Sequence, residues 1–219
     1  MVVESLQKKQ MRMTSIVDRL KLEYPDSKCS LNYNSPFQLL VATVLSAQCT
    51  DKRVNQVTKG LFEKYPDAPR FINLSLEEIE QEIYSTGFYK NKAKSIKGIA
   101  VAVVNEYGGI LPQTLDEMVK LPGVGRKTAN VVLGNVFGVP SLVVDTHVTR
   151  IANLLQFVKI KDAVKIEKEL TKIVEKNDWT LFAHLLIDHG RAVCIANRPK
   201  CEKCVIADCC PSKKGGQLK

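Results

Sequence analysis

Cys194, Cys201, Cys204 and Cys210 are separated by six, two and five residues, so four sulfurs fall within seventeen residues near the carboxy end. Thiolates at that density point to chelation. Disulfides fit poorly, because the amino terminus MVVESLQKKQMRM mixes charges early, lacks the apolar core of a secretory signal, and implies a reducing, cytoplasmic setting. Spacing leaves two metal chemistries open. Four thiolates around a tetrahedral zinc ion are common and Cys201-x-x-Cys204 is a typical half-site, but zinc sites usually join two such pairs. A single asymmetric run is closer to the loops that wrap a four-iron cluster, each iron taking one thiolate. Cys209 competes with its neighbour for the fourth place; Cys210 is the expected ligand. Cys29 and Cys49 read as small apolar packing residues.

A second group carries amine chemistry. Leu121-Pro-Gly-Val-Gly125 reads as a tight turn, with Gly123 and Gly125 free of Cβ and tolerant of positive φ, so that backbone amides can approach a phosphate. Such contacts place a protein on DNA without reading its sequence. Arg126 and Lys127 follow at the start of a helical pattern. Lys127 reads either as a phosphate contact or as a nucleophile, since a helix amino end and burial would both favour the neutral amine. Eighteen residues on, Asp145 opens another helical pattern in Val144-Asp-Thr-His147, as an N-cap, as a carboxylate partner of the lysine, or as both.

The elements that must position these residues read as helices almost throughout. Apolar spacing at Val54, Val57, Leu61 and Phe62, at Ile96, Ala100, Val103 and Tyr107, and at Ile166, Leu170, Ile173 and Val174 follows the helical period. Ser75-Leu-Glu-Glu78 and Thr114-Leu-Asp-Glu117 each fit a capping box. Thr114 to Lys120, the glycine turn, and Arg126 to about Phe137 together read as a helix-hairpin-helix. The runs Pro36 to Ala47 and Val131 to Val144 are too short, or broken by Pro140, to cross a bilayer. A short Lys/Gly tail closes the chain and is expected to be mobile.

Lys and Arg number 32 against 23 Asp and Glu, a formal charge of +9 that favours a polyanionic partner. The excess is concentrated around the cysteines: residues 190–219 hold seven basic side chains, Arg198 and Lys200 among them, and two acidic ones.

In combination these segments resemble the endonuclease III family. SPFQLLVATVLSAQCTD (35–51), TGFYKNKA (86–93), LPGVGRKTANVVL (121–133), VDTHVTRIAN (144–153) and the six-two-five cysteine spacing all match, covering nearly the whole chain. The resemblance implies an all-α helix-hairpin-helix DNA glycosylase fold, with a six-helix barrel domain over 29–139 and an iron–sulfur cluster domain over 1–28 and 140–219, DNA lying in the cleft between them. It implies a [4Fe-4S] cluster on Cys194, Cys201, Cys204 and Cys210, Lys127 as nucleophile and Asp145 as catalytic aspartate. Gln48 and Phe88 stand where the family inserts side chains into the duplex, although leucine is usual at the Phe88 position. Gly123, Gly125, Arg126, Arg198 and Lys200 are expected to meet the DNA backbone. The implied activity is removal of oxidised pyrimidines from double-stranded DNA and nicking of abasic sites by β-elimination, by a monomer. A glycosylase that only releases bases, and a DNA-binding protein without chemistry, are the rival readings; a water-activating enzyme needs no amine at Lys127.

Overall fold

The structure, a computed structural model, describes residues 4–214, with the backbone alone at Lys214; residues 1–3 and the Lys/Gly tail at 215–219, including Lys219, lie outside the described residues. Among the described residues the regular structure is helical, without strands. In chain order the helices are α1 (Leu6–Glu23), α2 (Pro36–Ser46), α3 (Asp51–Lys64), α4 (Ala68–Phe71), α5 (Leu76–Ile83), α6 (Tyr89–Tyr107), α7 (Leu115–Met118), α8 (Arg126–Val136), α9 (Thr146–Leu154), α10 (Ala163–Leu170), α11 (Trp179–Ala192) and α12 (Pro211–Lys214). The chain forms two compact units, Cys29–Val139 and the discontinuous pair Met1–Lys28 with Pro140–Lys219.

The Cys29–Val139 unit is built around α2. Nearly every side chain of this helix from Phe37 to Leu45 is buried, the pattern of a helix enclosed on all sides. Its ends explain why it starts where it does: Ser35 accepts from the Gln38 amide and Pro36 occupies the first turn, where its missing N–H costs nothing. α3, α6 and α8 pack on it. Leu39, Leu40, Leu45, Ile96, Ile99, Val132 and Leu133 meet there with almost no exposure, each contributing roughly 1.5–3 kcal/mol by burial.

In the other unit, α1 buries Met13, Ile16, Val17 and Leu20, an i, i+3, i+4, i+7 stripe, and packs on α11, which also receives α9. An amino-terminal helix thus completes a core whose remaining residues begin at Leu142.

Several local expectations need correction. α7 is a single turn and does not run to Lys120, because after Met118 the backbone tightens into turns in which Lys120 N–H donates to Glu117 O and Leu121 N–H to Met118 O. Ser75 and Glu78 form a reciprocal capping box, whereas the Glu117 carboxylate accepts from the Thr114 hydroxyl instead of reaching the cap amide. α10 ends at Leu170, yet Ile173 and Val174 remain buried in the following turn. No helix among the described residues is long and apolar enough to cross a membrane.

Candidate DNA-processing site

Three places in the molecule hold the chemically competent residues. The first is the hairpin. Val124 N–H donates to Leu121 O at 3.1 Å, while buried Leu121 and Val124 anchor the turn from beneath. Gly123 has φ +73, and a Cβ there would lie 2.3 Å from Ser95 Oγ, so the position requires glycine twice over. Gly125 is different from expectation: its φ is −90, in the extended region, and a Cβ would meet open space. It serves as the N-cap of α8 with no side-chain cap, which leaves the positive helix end to an incoming anion. Arg126 and Lys127 are exposed in the first turn. The burial expected for Lys127 is therefore not present; the helix end is.

Asp145 belongs to the other unit and is half-buried. Its Oδ1 accepts from Val148 N–H at 2.8 Å, so it is the N-cap of α9. The second carboxylate oxygen is not used by that cap. His147, in the first turn of α9, faces Arg150 Nη2 at 3.2 Å through Nδ1.

The third place is the cysteine loop. Cys194, Cys201, Cys204 and Cys210 line one cavity, together with Ile151, Leu155 and His189; Cys209 is not on that wall. Among the described residues no three His, Cys, Asp or Glu side chains form a ready-made single-ion site. Burial pushes the Cys194 and Cys204 thiols up, Cys204 to about 11, and the neighbouring cysteines add repulsion. Four thiolates here need a cationic centre to offset that cost. The surroundings suit one. Burial and then Arg150 hold His189 down to about 4, so its ring is neutral, and Tyr24, pushed up to about 12 by burial, keeps its phenolic proton. Tyr24 Oη lies 3.1 Å from His189 Nδ1, and His189 Nε2 lies 3.5 Å from Cys204 Sγ, so the tautomer with hydrogen on Nε2 donates to that sulfur.

Sequence reasoning missed the side chains that fold this loop. Arg150 donates to Cys194 O and approaches its Sγ at 3.5 Å. Arg12 donates to Leu155 O at 2.9 Å and Cys209 O at 3.2 Å, and lies over the Phe157 ring. Arg19 donates to Val205 O and pairs with Asp208. A signal existed: Arg12 and Arg19 stand seven residues apart on α1, hence on one face. Arg198 and Lys200 are exposed in the loop before Cys201, and Lys200 Nζ also donates to Ala192 O at 3.2 Å.

Gln48 and Phe88 are exposed turn residues of the Cys29–Val139 unit, and both adopt left-handed backbone, φ 54 and 48. Gln156 is the other non-glycine residue with positive φ among those described.

Comparison with known proteins places these features. Residues 41–176 match the family described as HhH-GPD superfamily base excision DNA repair protein. Endonuclease III of Synechocystis sp. is 48% identical over 96% of this chain and 97% of its own length, and that of Bacillus subtilis is 46% identical over 89% of each. Endonuclease III of Escherichia coli K12 is 39% identical, covering 91% of this chain and 94% of the relative. Among solved structures, a non-covalent endonuclease III–DNA complex superposes with a TM-score of 0.90 at 42% identity, covering both chains fully. A trapped endonuclease III–DNA covalent intermediate does so at 0.89 and 42% over 99% of each.

Proposed function

Because the chain belongs to the HhH-GPD superfamily of base excision DNA repair proteins and, within it, to the endonuclease III family, we propose that Lys127 is its amine nucleophile and Asp145 the carboxylate that works with it. The enzyme is a DNA glycosylase and abasic-site lyase, and its partner is DNA. Its substrates are oxidised pyrimidines and abasic sites in duplex DNA, and it acts as a monomer in the cytoplasm. The observation that carries the lyase half is the position of Lys127, exposed in the first turn of α8 behind an uncapped glycine turn. The hairpin amides and Arg126 hold a phosphate there, and the amine on the next residue is delivered to the adjoining sugar.

Once the damaged base has been flipped out of the stack, Lys127 Nζ attacks the sugar C1′ and the base departs with its bonding electrons. Positive charge develops on the sugar. Asp145 stabilises it and takes up the proton released by the attacking amine. Ring opening gives an imine between Nζ and C1′. The protonated imine acidifies C2′, loss of that proton sends an electron pair towards C3′, and the 3′ phosphate leaves by β-elimination. Water is not the nucleophile. Gln48 and Phe88 enter the duplex, the aromatic ring replacing the usual leucine as a broader wedge.

Cys194, Cys201, Cys204 and Cys210 would hold a [4Fe-4S] cluster, one thiolate per iron. When bound, that group supplies a covalent cross-link across the loop and no step of the reaction. The shared cavity wall, with His189 Nε2 at 3.5 Å from Cys204 Sγ, supports that ligand set, with Cys209 left out. The loop Ala196–Lys200 is then fixed so that Arg198 and Lys200 meet backbone phosphate.

The test is a duplex containing one thymine glycol, treated with borohydride in the presence of wild type or Lys127→Gln. Wild type gives a covalent protein–DNA adduct and a nicked strand, and the variant gives neither. An adduct that persists in the variant moves the nucleophile elsewhere. Base release without any adduct would instead favour a glycosylase that activates water.

A further inference from the structure

Lys92 lies in the first turns of α6 with only 5% of its surface exposed. Its ammonium donates to Leu45 O at 2.9 Å and to Thr86 O at 2.8 Å. Leu45 is in the last turn of α2, three residues before Gln48, and Thr86 closes the 3-10 turn Tyr84–Thr86, two residues before Phe88. Both carbonyls stand at carboxy ends of helical segments, where backbone oxygens lack intrahelical partners and carry the negative end of the helix dipole. One cation therefore caps two segments, and each leads directly into a turn whose exposed residue has left-handed backbone.

That coincidence needs a physical reason. Glutamine and phenylalanine seldom adopt φ near +50, and such a conformation persists where the surroundings fix it. Phe88 is 65% exposed, so its side chain does not hold its own backbone in place. We propose that Lys92 is the positioning residue for both turns, tying the Gln48 turn to the Phe88 turn so that the two side chains are presented to DNA as one preformed unit. The inference rests on the reading that Gln48 and Phe88 enter the duplex. The location of the charge supports it: burial lowers the Lys92 ammonium from its ordinary range, and a buried cation is kept where its hydrogen bonds have a use. Lys92 touches no substrate; it acts through the two turns.

A double-mutant cycle tests this on the cluster-loaded enzyme, with folding checked by circular dichroism and thermal melting. Binding to a duplex carrying a tetrahydrofuran abasic analogue is measured for Lys92→Met, Gln48→Ala, Phe88→Ala and the two double variants. Borohydride trapping on a single-stranded abasic oligonucleotide, which needs no duplex insertion, is measured alongside. Each single variant weakens duplex binding about tenfold, and in the Lys92→Met background each alanine change costs less than about twofold more, the coupling of residues that act through one shared network. For Lys92→Met, trapping on the single strand stays within about twofold of wild type. Costs that simply multiply overturn the proposal while leaving the insertion reading intact. Gln48→Ala and Phe88→Ala binding duplex like wild type would remove both. Equal loss on single strand and duplex makes Lys92 a general fold residue and also overturns the proposal. Should Lys92→Met not fold, Lys92→Gln takes its place in the cycle, keeping one donor group too short to reach both carbonyls.

Discussion

The hairpin at Leu121–Lys127 and the cysteine loop at Cys194–Cys210 are both expected to grip DNA backbone, yet they are shaped by opposite means. The hairpin takes its form mainly from neighbours in sequence: a glycine at φ +73, a Val124 to Leu121 hydrogen bond, and two apolar residues pointing into the core beneath, with Ser95 of α6 closing on Gly123 from outside. The cysteine loop has two 3-10 turns, Cys201–Lys203 and Ala207–Cys209, and Ile206 as its buried apolar anchor. Its backbone is held from outside, by Arg12 and Arg19 of α1 and by Arg150 of α9. A short loop that buries little apolar surface cannot offset its ordering entropy from local contacts alone. Distant arginines and, in our reading, an inorganic cross-link make up the difference.

The largest expected effect breaks the comparison on one side only. Oxidative loss of the proposed cluster, or Cys204→Ala, removes hydrogen-exchange protection across residues 194–213 and leaves α8 protected, because site binding energy in such a loop is folding energy, of order 10 kcal/mol in small metal domains. Equal loss in α8 would mean that the hairpin is not locally determined after all.

A smaller change sharpens the other side. Gly123→Ala must displace Ser95 and adopt a left-handed alanine, at a cost of about 1–3 kcal/mol, with abasic-duplex binding weakened along with it. Gly125→Ala meets open space at φ −90 and loses only part of an N-cap preference, under about 1 kcal/mol. Denaturant melts of the two variants separate the positions, and equal costs would show that the turn does not depend on positive φ at Gly123.

The same contrast explains what could be read from sequence. The helical period is local, so α3 and α6 announced themselves through Val54, Leu61, Ile96 and Val103, as did the turn through Pro122 and Gly123. Asp145 at a helix start is likewise a local signature, and the structure makes it the cap of α9. Exposure and long-range partners are not local. Nothing around Lys127 said that its side chain would stand free of the core, and nothing around Lys92 said that its ammonium would sit inside it, between carbonyls of which one is 47 residues away. The left-handed backbone of Gln48 and Phe88 was equally hidden, since glycine is the residue that normally advertises it. Arg12 and Cys209 are 197 residues apart, beyond any window that reads periodicity.

The smallest effect concerns how Arg12 is kept in place for the cysteine loop. Its guanidinium pairs with Glu4 through two hydrogen bonds, at 3.0 and 2.7 Å, while its other nitrogen donates to Leu155 O and Cys209 O. Arg12 beside Glu4 holds that carboxyl below its ordinary value. A carboxyl lowered in the folded state stabilises the protein above its unfolded value, and that gain is lost as pH falls through the folded value. Glu4→Gln therefore lowers stability at neutral pH by roughly 0.2–1 kcal/mol for a pair that is partly exposed to solvent. Thermal melts of the two proteins converge in acid, below the usual carboxylate range, where wild type has lost the same charge. A gap that persists unchanged in acid would mean that Glu4 holds Arg12 by packing, and the loop would then owe its arginine staple to shape and not to charge.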